Sequence, residues 1–290
     1  MVLKDKKYIL LFLSPAIILV IIFLCYPLVQ TVQYSFTDWR SISLTKMNFI
    51  GLQNYIDMAK DPIIHISLRN TLLLMLGSVI FQVGLALVLA LMADSIKLGF
   101  RFFRTVFFFP IVISATAIGL MFSLIYGYEY GLLNYFLTVL GKEKQVWLTE
   151  GRAIYLVLIP VLWQYVGFYF VIFLTGISKI PGDIYESAAL DGITGVKKAF
   201  YITIPLMWEV IATTLSLVIA GTLKVFDTIY VMTNGGPMNS TELLSTYMYN
   251  KAFSHQNGGY ASAIAVALIL LGVLVTGLLN RLTSRETVTM

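Results

Sequence analysis

Charge is scarce in this chain. Lys, Arg, Asp and Glu together make up 12% of its 290 residues, about half the roughly 25% of an ordinary globular domain. Hydrophobic residues reach 58% and the mean hydropathy is +0.84. So few charges cannot clothe a water-soluble body of this size, and so many apolar side chains cannot all fit inside one. That balance also excludes disorder, and without a basic patch, a glycine period or a cysteine pattern the chain is no nucleic-acid binder, collagen rod or disulfide scaffold. The single cysteine, Cys25, lies in an apolar run and has no partner for a disulfide within the chain. Histidine is limited to His65 and His255, far apart in sequence, so no zinc-ligand spacing occurs. No Gly-x-Ser-x-Gly elbow is present. The only Gly-Lys pair, Gly141-Lys142, has Phe136 where a phosphate-binding loop needs its first glycine, so ATP is not held by that route. Neither catalysis nor a cofactor is expected on this chain.

What is abundant is long apolar sequence. A helix crossing ~30 Å of hydrocarbon at 1.5 Å per residue needs about 20 mostly apolar residues. Six stretches qualify, at about 8–30, 71–93, 105–126, 153–175, 205–226 and 260–279. The expected fold is an all-α polytopic membrane protein, one transmembrane domain over residues 1–290. The first run follows Lys4, Lys6 and Lys7 as a secretory leader would, but it exceeds the ~7–15 residues of a leader core. Tyr26-Pro27-Leu28-Val29-Gln30 offers no small-x-small cleavage site, so an uncleaved anchor is expected. Six crossings put both termini on one side. With the termini inside, the inner segments hold eleven of the 20 Lys and Arg residues, among them Lys97, Arg101, Arg104, Lys179, Lys197, Lys198, Arg281 and Arg285. Their density is about twice that of the outer segments, in line with the positive-inside bias, which places both termini in the cytoplasm.

Polar residues within the runs are few. Gln82, Gln164 and Glu209 stand out, and in hydrocarbon such groups face a bundle interior or an aqueous path; for Gln82 a helix-to-helix hydrogen bond is sufficient reason. Ala261, Ala265, Gly272 and Thr276 recur at helical spacing in the sixth run, which suits close helix packing.

The inner segment between the fourth and fifth runs, about 179–204, is far longer than an antiparallel turn requires. Asp183 is placed to cap a short helix, with Glu186 three residues on completing a capping box. Ala188, Ala189 and Leu190 carry that helix forward, and Gly192 ends it in the left-handed conformation. Thr194 is placed to cap a second helix through Phe200, and Pro205 to open the fifth crossing. Small residues at Ser187, Ala188 and Ala189 suit a docking surface; the plain alternative is an amphipathic helix lying on the bilayer.

Glu186-Ser187-Ala188-Ala189-Leu190-Asp191-Gly192, then nine residues, then Ile202-Thr203-Ile204-Pro205, resembles the EAA motif of permease subunits of bacterial ABC importers, departing from it at Ser187 and Ile204. Lys224 to Pro237, Thr241-Glu242 and Gly259 to Ala263 are similar to sugar permeases of the maltose and glycerol-phosphate type. Ser14-Pro15-Ala16, Tyr26-Pro27, Ser35 to Trp39 and Gly51 to Tyr55 resemble the first permease of such pairs, in its short six-helix form. The resemblance implies the type I ABC importer permease fold in the bacterial cytoplasmic membrane and alternating access. It implies a second homologous permease, two cytoplasmic ATP-binding subunits that hold ATP and Mg, and an extracytoplasmic solute-binding protein. On that footing Asp183, Glu186, Ser187, Ala188, Ala189, Asp191 and Gly192 form the coupling site for an ATPase.

A sugar site needs stacking faces and hydrogen-bonding groups. Gln164, Tyr165 and Phe168 share one helix face, and Val218, Gly221, Thr222 and Val225 a second; family placement sets both along the substrate pathway, while plain packing explains the aromatics equally well. The segment Asn234-Gly235-Gly236-Pro237 reads as a shaped outer loop. The substrate stays open among an oligosaccharide, a monosaccharide, a polyol and glycerol 3-phosphate. Phosphate calls for basic groups at mid-membrane, and with Lys224 placed at an outer end the helices supply none, which favours a neutral oligosaccharide. The rivals are a secondary transporter, which predicts ionisable residues, broken helices or an inverted repeat within the membrane, and a membrane enzyme.

Overall fold

The computed structural model describes residues 6–40, 47–94 and 100–283; Lys4, Lys97 and Arg285, counted above, lie outside the described residues. In chain order the helices are α1 (Ile9–Tyr34), α2 (Gln53–Lys60), α3 (Pro62–Ala93), α4 (Phe102–Val112), α5 (Ala115–Ile125), α6 (Leu132–Val139), α7 (Ala153–Ile177) and α8 (Gly182–Leu190). They continue with α9 (195–206), α10 (Trp208–Thr222), α11 (Asp227–Thr233), α12 (Leu244–Tyr249) and α13 (Gly258–Thr283). Among the described residues the only β pairing is an isolated bridge between Thr37 and Phe49. Five stretches, α1, α3, α7, α10 with α11, and α13, are long and apolar enough to cross a membrane. The pair α4 and α5, bent by 91°, gives a sixth where the two count as one broken span.

The helix bounds depart from the apolar runs for local reasons. The run expected at 71–93 begins at Pro62, because Asp61 accepts a hydrogen bond from the Ile63 amide at 2.9 Å and Pro62 needs no amide partner at the first helical position. The run expected at 105–126 is broken at Ile113-Ser114, where Ser114 turns extended and its hydroxyl caps α5 by accepting from the Ala117 amide. The fifth crossing opens at Trp208, after a kink at Met207, not at Pro205. It breaks at 223–226 and resumes to Thr233. The apolar runs expected at 105–126 and 205–226 thus each meet a break in helix. π-helical turns at Ile21–Cys25 and Ala199–Thr203 lie just ahead of Pro27 and Pro205, where a missing amide unsettles the i to i−4 ladder.

The chain packs as two compact units, Met1–Ile64 with Tyr247–Leu270, and His65–Thr246 with Leu271–Met290. In the first, buried Asn54 of α2 donates to the carbonyls of Ser35 and Thr37 at 2.8 and 2.9 Å. Asp61 accepts the phenol hydroxyls of Tyr247 and Tyr260 at 2.6 and 2.8 Å, and the Lys251 ammonium lies over both rings, 5.0 and 5.4 Å from their centroids. Burial works against the Asp61 carboxylate, but the hydrogen bonds from Tyr247, Tyr260 and the Ile63 amide, with Lys251 nearby, outweigh it and hold its pKa below the ordinary value.

In the second unit α7 is the central helix, packed against α3 and α4. Its fully buried Phe170 and Phe173 meet Ala86 and Ala90 of α3 and Val218 of α10 in the main core. Gly167 fixes the crossing with α4: a Cβ there would stand 1.7 Å from the Phe107 carbonyl oxygen, so only hydrogen fits. Trp208 closes the far end by donating its indole N–H to the Thr283 carbonyl at 2.8 Å.

Candidate functional site

Three interruptions of helix within the second unit converge on one cavity of about 200 Å³. They are the π-helical turn Ser78–Val83 inside α3, the break between α4 and α5, and the break between α10 and α11. α7 runs along the fourth side through Val161, Gln164, Tyr165 and Tyr169. The break between α4 and α5 releases a backbone carbonyl that hydrocarbon cannot satisfy, and polar side chains of the cavity bond to it and to neighbouring carbonyls. The Gln164 amide, nearly buried, donates to the Ile113 carbonyl at 3.0 Å, the group freed where α4 stops. Thr228 donates to the Ala115 carbonyl at 3.4 Å, and the Gln82 amide to the Val161 carbonyl at 3.0 Å. Both glutamines thereby spend a donor on the scaffold and keep a side-chain oxygen as an acceptor.

The rest of the lining is mixed in character. Ser78 carries a buried hydroxyl with no hydrogen-bond partner among the described residues. Lys224 and Asp227 contribute one charge of each sign, and neither makes an ion pair among the described residues. Tyr165, Tyr169 and Phe226 supply aromatic surface. Such a cavity offers donors, acceptors and ring faces to a polar solute with apolar C–H surfaces.

Of the seven pathway residues proposed from sequence, Gln164, Tyr165, Val218, Gly221, Thr222 and Val225 line this one cavity. Phe168 does not. Its ring packs against the core, edge-on to Tyr169 at 5.3 Å, and Tyr169 takes the place expected for it. Lys224, placed at an outer end by its position in the apolar run, lies in the lining because the helix breaks beside it. Ser78, Asp227 and Thr228 carried no sequence signal of this role beyond proximity to the breaks.

The segment 179–206 forms two short helices, as its spacing implies, with different caps. Pro181 occupies the N-cap of α8 and no side chain caps it; Asp183 lies inside the first turn, where its charge suits the helix dipole. Thr194 is extended at the N-cap of α9 but makes no side-chain cap bond, and α9 runs on to Leu206 instead of stopping at Phe200. Gly192 does end α8 in the left-handed region at φ +74°, with the Ile193 amide bonded to the Ala188 carbonyl at 2.8 Å and the Gly192 amide to Ala189 at 3.1 Å, a Schellman closure. Tyr185 joins the two helices through Thr203 at 3.3 Å and lies beneath the Lys198 ammonium, 4.5 Å from the ring centroid. Asp183, Glu186, Ser187, Ala189, Asp191 and Gly192 are exposed, whereas Ala188 is buried. Beside them Leu190 is 90% exposed, with Val196, Phe200 and Tyr201 also open.

Residues 86–288 match the family described as binding-protein-dependent transport system inner membrane component. The chain belongs to this family. It is a multi-pass membrane permease, a transport component of an ABC importer and not an enzyme. The probable ABC transporter permease protein YurN of Bacillus subtilis strain 168 is 37% identical over 93% of this permease and 94% of its own length. The multiple sugar-binding transport system permease protein MsmF of Streptococcus mutans serotype c is 31% identical over 90% of each. The fold matches, at a TM-score of 0.86 and 22% identity over 99% of this chain and 97% of the other, a chain of a bacterial alginate ABC transporter. That transporter was crystallised in complex with an alginate pentasaccharide-bound periplasmic protein. The permease therefore has the type I ABC importer fold.

Proposed function

We propose that the permease carries a neutral oligosaccharide into the bacterial cytoplasm, with the cavity between the broken helices as its substrate pathway. The carrying observation is the cavity's lining. Aromatic faces from Tyr165, Tyr169 and Phe226 stand beside hydroxyl, amide-oxygen and charged groups, the mixture a pyranose needs for its C–H faces and hydroxyl rim. Lys224 is offset by Asp227 in the same lining, so the cavity carries no net charge and favours a neutral sugar over a phosphorylated one. The names of relatives such as MsmF support sugar as the class.

In this reading both termini face the cytoplasm, the side on which the basic residues concentrate. A second homologous permease completes the pathway, and a solute-binding protein delivers sugar to the outer face. Two cytoplasmic subunits bind ATP and Mg. Asp183, Glu186, Ser187, Ala189, Asp191, Gly192 and the exposed Leu190 meet one of them, Ala188 holding the helix to its own subunit. ATPase closure then drives α8, α9 and the bundle between inward-open and outward-open states.

The test is a Glu186→Lys or Gly192→Pro substitution in the assembled transporter. Proline cannot adopt the positive φ of Gly192, and lysine reverses the charge at the docking face. Both variants are expected to insert in the membrane but to lose transport and co-purification with the ATPase. Wild-type, substrate-stimulated ATP hydrolysis in either purified complex would refute the coupling assignment.

A further inference from the structure

The loop joining α5 to α7 carries a face that neither the cavity nor the ATPase surface uses. On α6, Leu132, Tyr135, Phe136 and Val139, together with Leu140 just past its end, follow i, i+3, i+4, i+7, i+8 spacing, and each is between 50% and 70% exposed. The opposite face is fixed from within. Asn134, fully buried, donates to the carbonyls of Tyr128 and Gln145 at 3.0 and 2.9 Å and accepts from the Gln145 amide and the Trp147 indole, both at 3.0 Å. The apolar face is therefore held outward by a satisfied polar network, not left out by loose packing.

Where α6 can lie is set by its tether. Only residues 126–131 separate it from the end of α5, and they are folded back, with the Gly131 amide on the Gly127 carbonyl at 3.1 Å. A Cβ on Gly131 would fall 2.1 Å from that oxygen, so only glycine fits the closed turn. α6 thus begins one tight turn beyond α5, the second half of the bent apolar pair, and where that pair serves as one span α6 starts at the edge of the ~30 Å hydrocarbon core. Polar groups gather at its other edge, where Lys144 pairs with Glu129 at 3.1 Å next to exposed Lys142 and Glu143. Tyrosines at 128, 130 and 135, all exposed, suit the membrane–water boundary, where ring and hydroxyl each find their solvent.

We propose that α6 is an interfacial anchor, its face of Leu132, Tyr135, Phe136, Val139 and Leu140 seated among the headgroups and upper acyl chains of the bilayer. A contiguous apolar face needs a permanent cover. A soluble binding protein that leaves after delivery would return it to water in every cycle, whereas lipid surrounds the apolar helices to which α6 is tethered; a permanent partner subunit on the face is the outcome the test below separates. The arrangement matches helices that lie in the interface by an apolar face and a charged edge. The inference requires only that the chain spans a bilayer, and it stands or falls independently of the sugar reading.

The test uses the permease assembled with its partner subunits in phosphatidylcholine–phosphatidylglycerol vesicles, in a Cys25→Ala background, with nitroxide labels at Val139→Cys, Tyr135→Cys and Glu143→Cys. Collisions with oxygen, which concentrates in lipid, and with a water-soluble nickel chelate are measured for each. The labels at 139 and 135 are expected to favour oxygen severalfold over the label at 143, which favours nickel. Equal nickel access at 139, 135 and 143 would put the face in water and overturn the proposal. So would shielding of 139 and 135 from both reagents, which would put a partner protein on it.

Discussion

Replacing Gly167 by alanine tests the central helix crossing. The added carbon would stand 1.7 Å from the Phe107 oxygen, 2.3 Å from its carbonyl carbon and 2.8 Å from the Phe108 nitrogen. All three are backbone atoms, so no side chain can swing aside. Restoring a carbon–oxygen contact of ~3.3 Å requires α7 and α4 to separate by about 1.6 Å. Overpacking of this kind costs about 1–3 kcal/mol. The same shift strains the Gln164 bond to the Ile113 carbonyl, now 3.0 Å long and three residues away on α7. An orphaned carbonyl costs about 1–3 kcal/mol more, less whatever water from the cavity recovers. A net loss of about 3 kcal/mol is expected, or a fall in Tm of roughly 6–12 °C at the ~2–4 °C per kcal/mol of proteins near this size. Thermal unfolding of the purified complex measures it. Gly84→Ala is the control: it lies in α3, where an added Cβ meets nothing within 4 Å, and alanine there gains up to ~1 kcal/mol of helix propensity. If Gly167→Ala melts with the wild type, or Gly84→Ala falls as far, the close-approach reasoning is wrong.

Two further outcomes follow from single groups. Asp61 has a folded pKa below its ordinary value, so its contribution to stability is complete above pH ~4 and is lost as pH falls through the lowered folded value; Asp61→Asn is expected to flatten the acid limb of a stability-versus-pH curve, and an unchanged limb would remove Asp61 as its source. Gln164→Leu keeps the side chain's bulk but removes the donor to the α4 carbonyl, and about 1 kcal/mol of stability is expected to go with it. Binding-protein-dependent uptake is expected to weaken in parallel, and if stability falls while uptake holds, the residue is scaffold and not pathway.

Much of the fold was legible because lipid imposes a simple rule. Apolar runs of sufficient length must be helices, and they announce themselves by composition. What the runs hid were the interruptions. Hydropathy counts apolar residues without regard to backbone angles, so Ile113-Ser114 and the stretch from Leu223 to Phe226 read as ordinary helix although the chain turns there. The start of α3 was missed for the reverse reason: His65, Arg69 and Asn70 lower the apolar count, while the informative pair, Asp61-Pro62, lies outside the run and acts through capping. Gly192 could be placed from sequence because a left-handed terminator has a strong residue preference. Asp183 could not, because a good capping residue two positions too far along becomes merely a favourable charge in the first turn. The cavity was half legible. Helix faces grouped six of its lining residues, but Tyr169 displaced Phe168, since which of two adjacent aromatics turns inward depends on what packs against the other.

The first helix has a further consequence for how the permease is made. No side chain in the apolar stretch of α1 is buried by the rest of the chain, so later-synthesised segments add nothing to its hold on the bilayer. Its insertion rests on the transfer of its own residues into lipid. It can therefore take its place in the bilayer while the helices that form the cavity are still being translated.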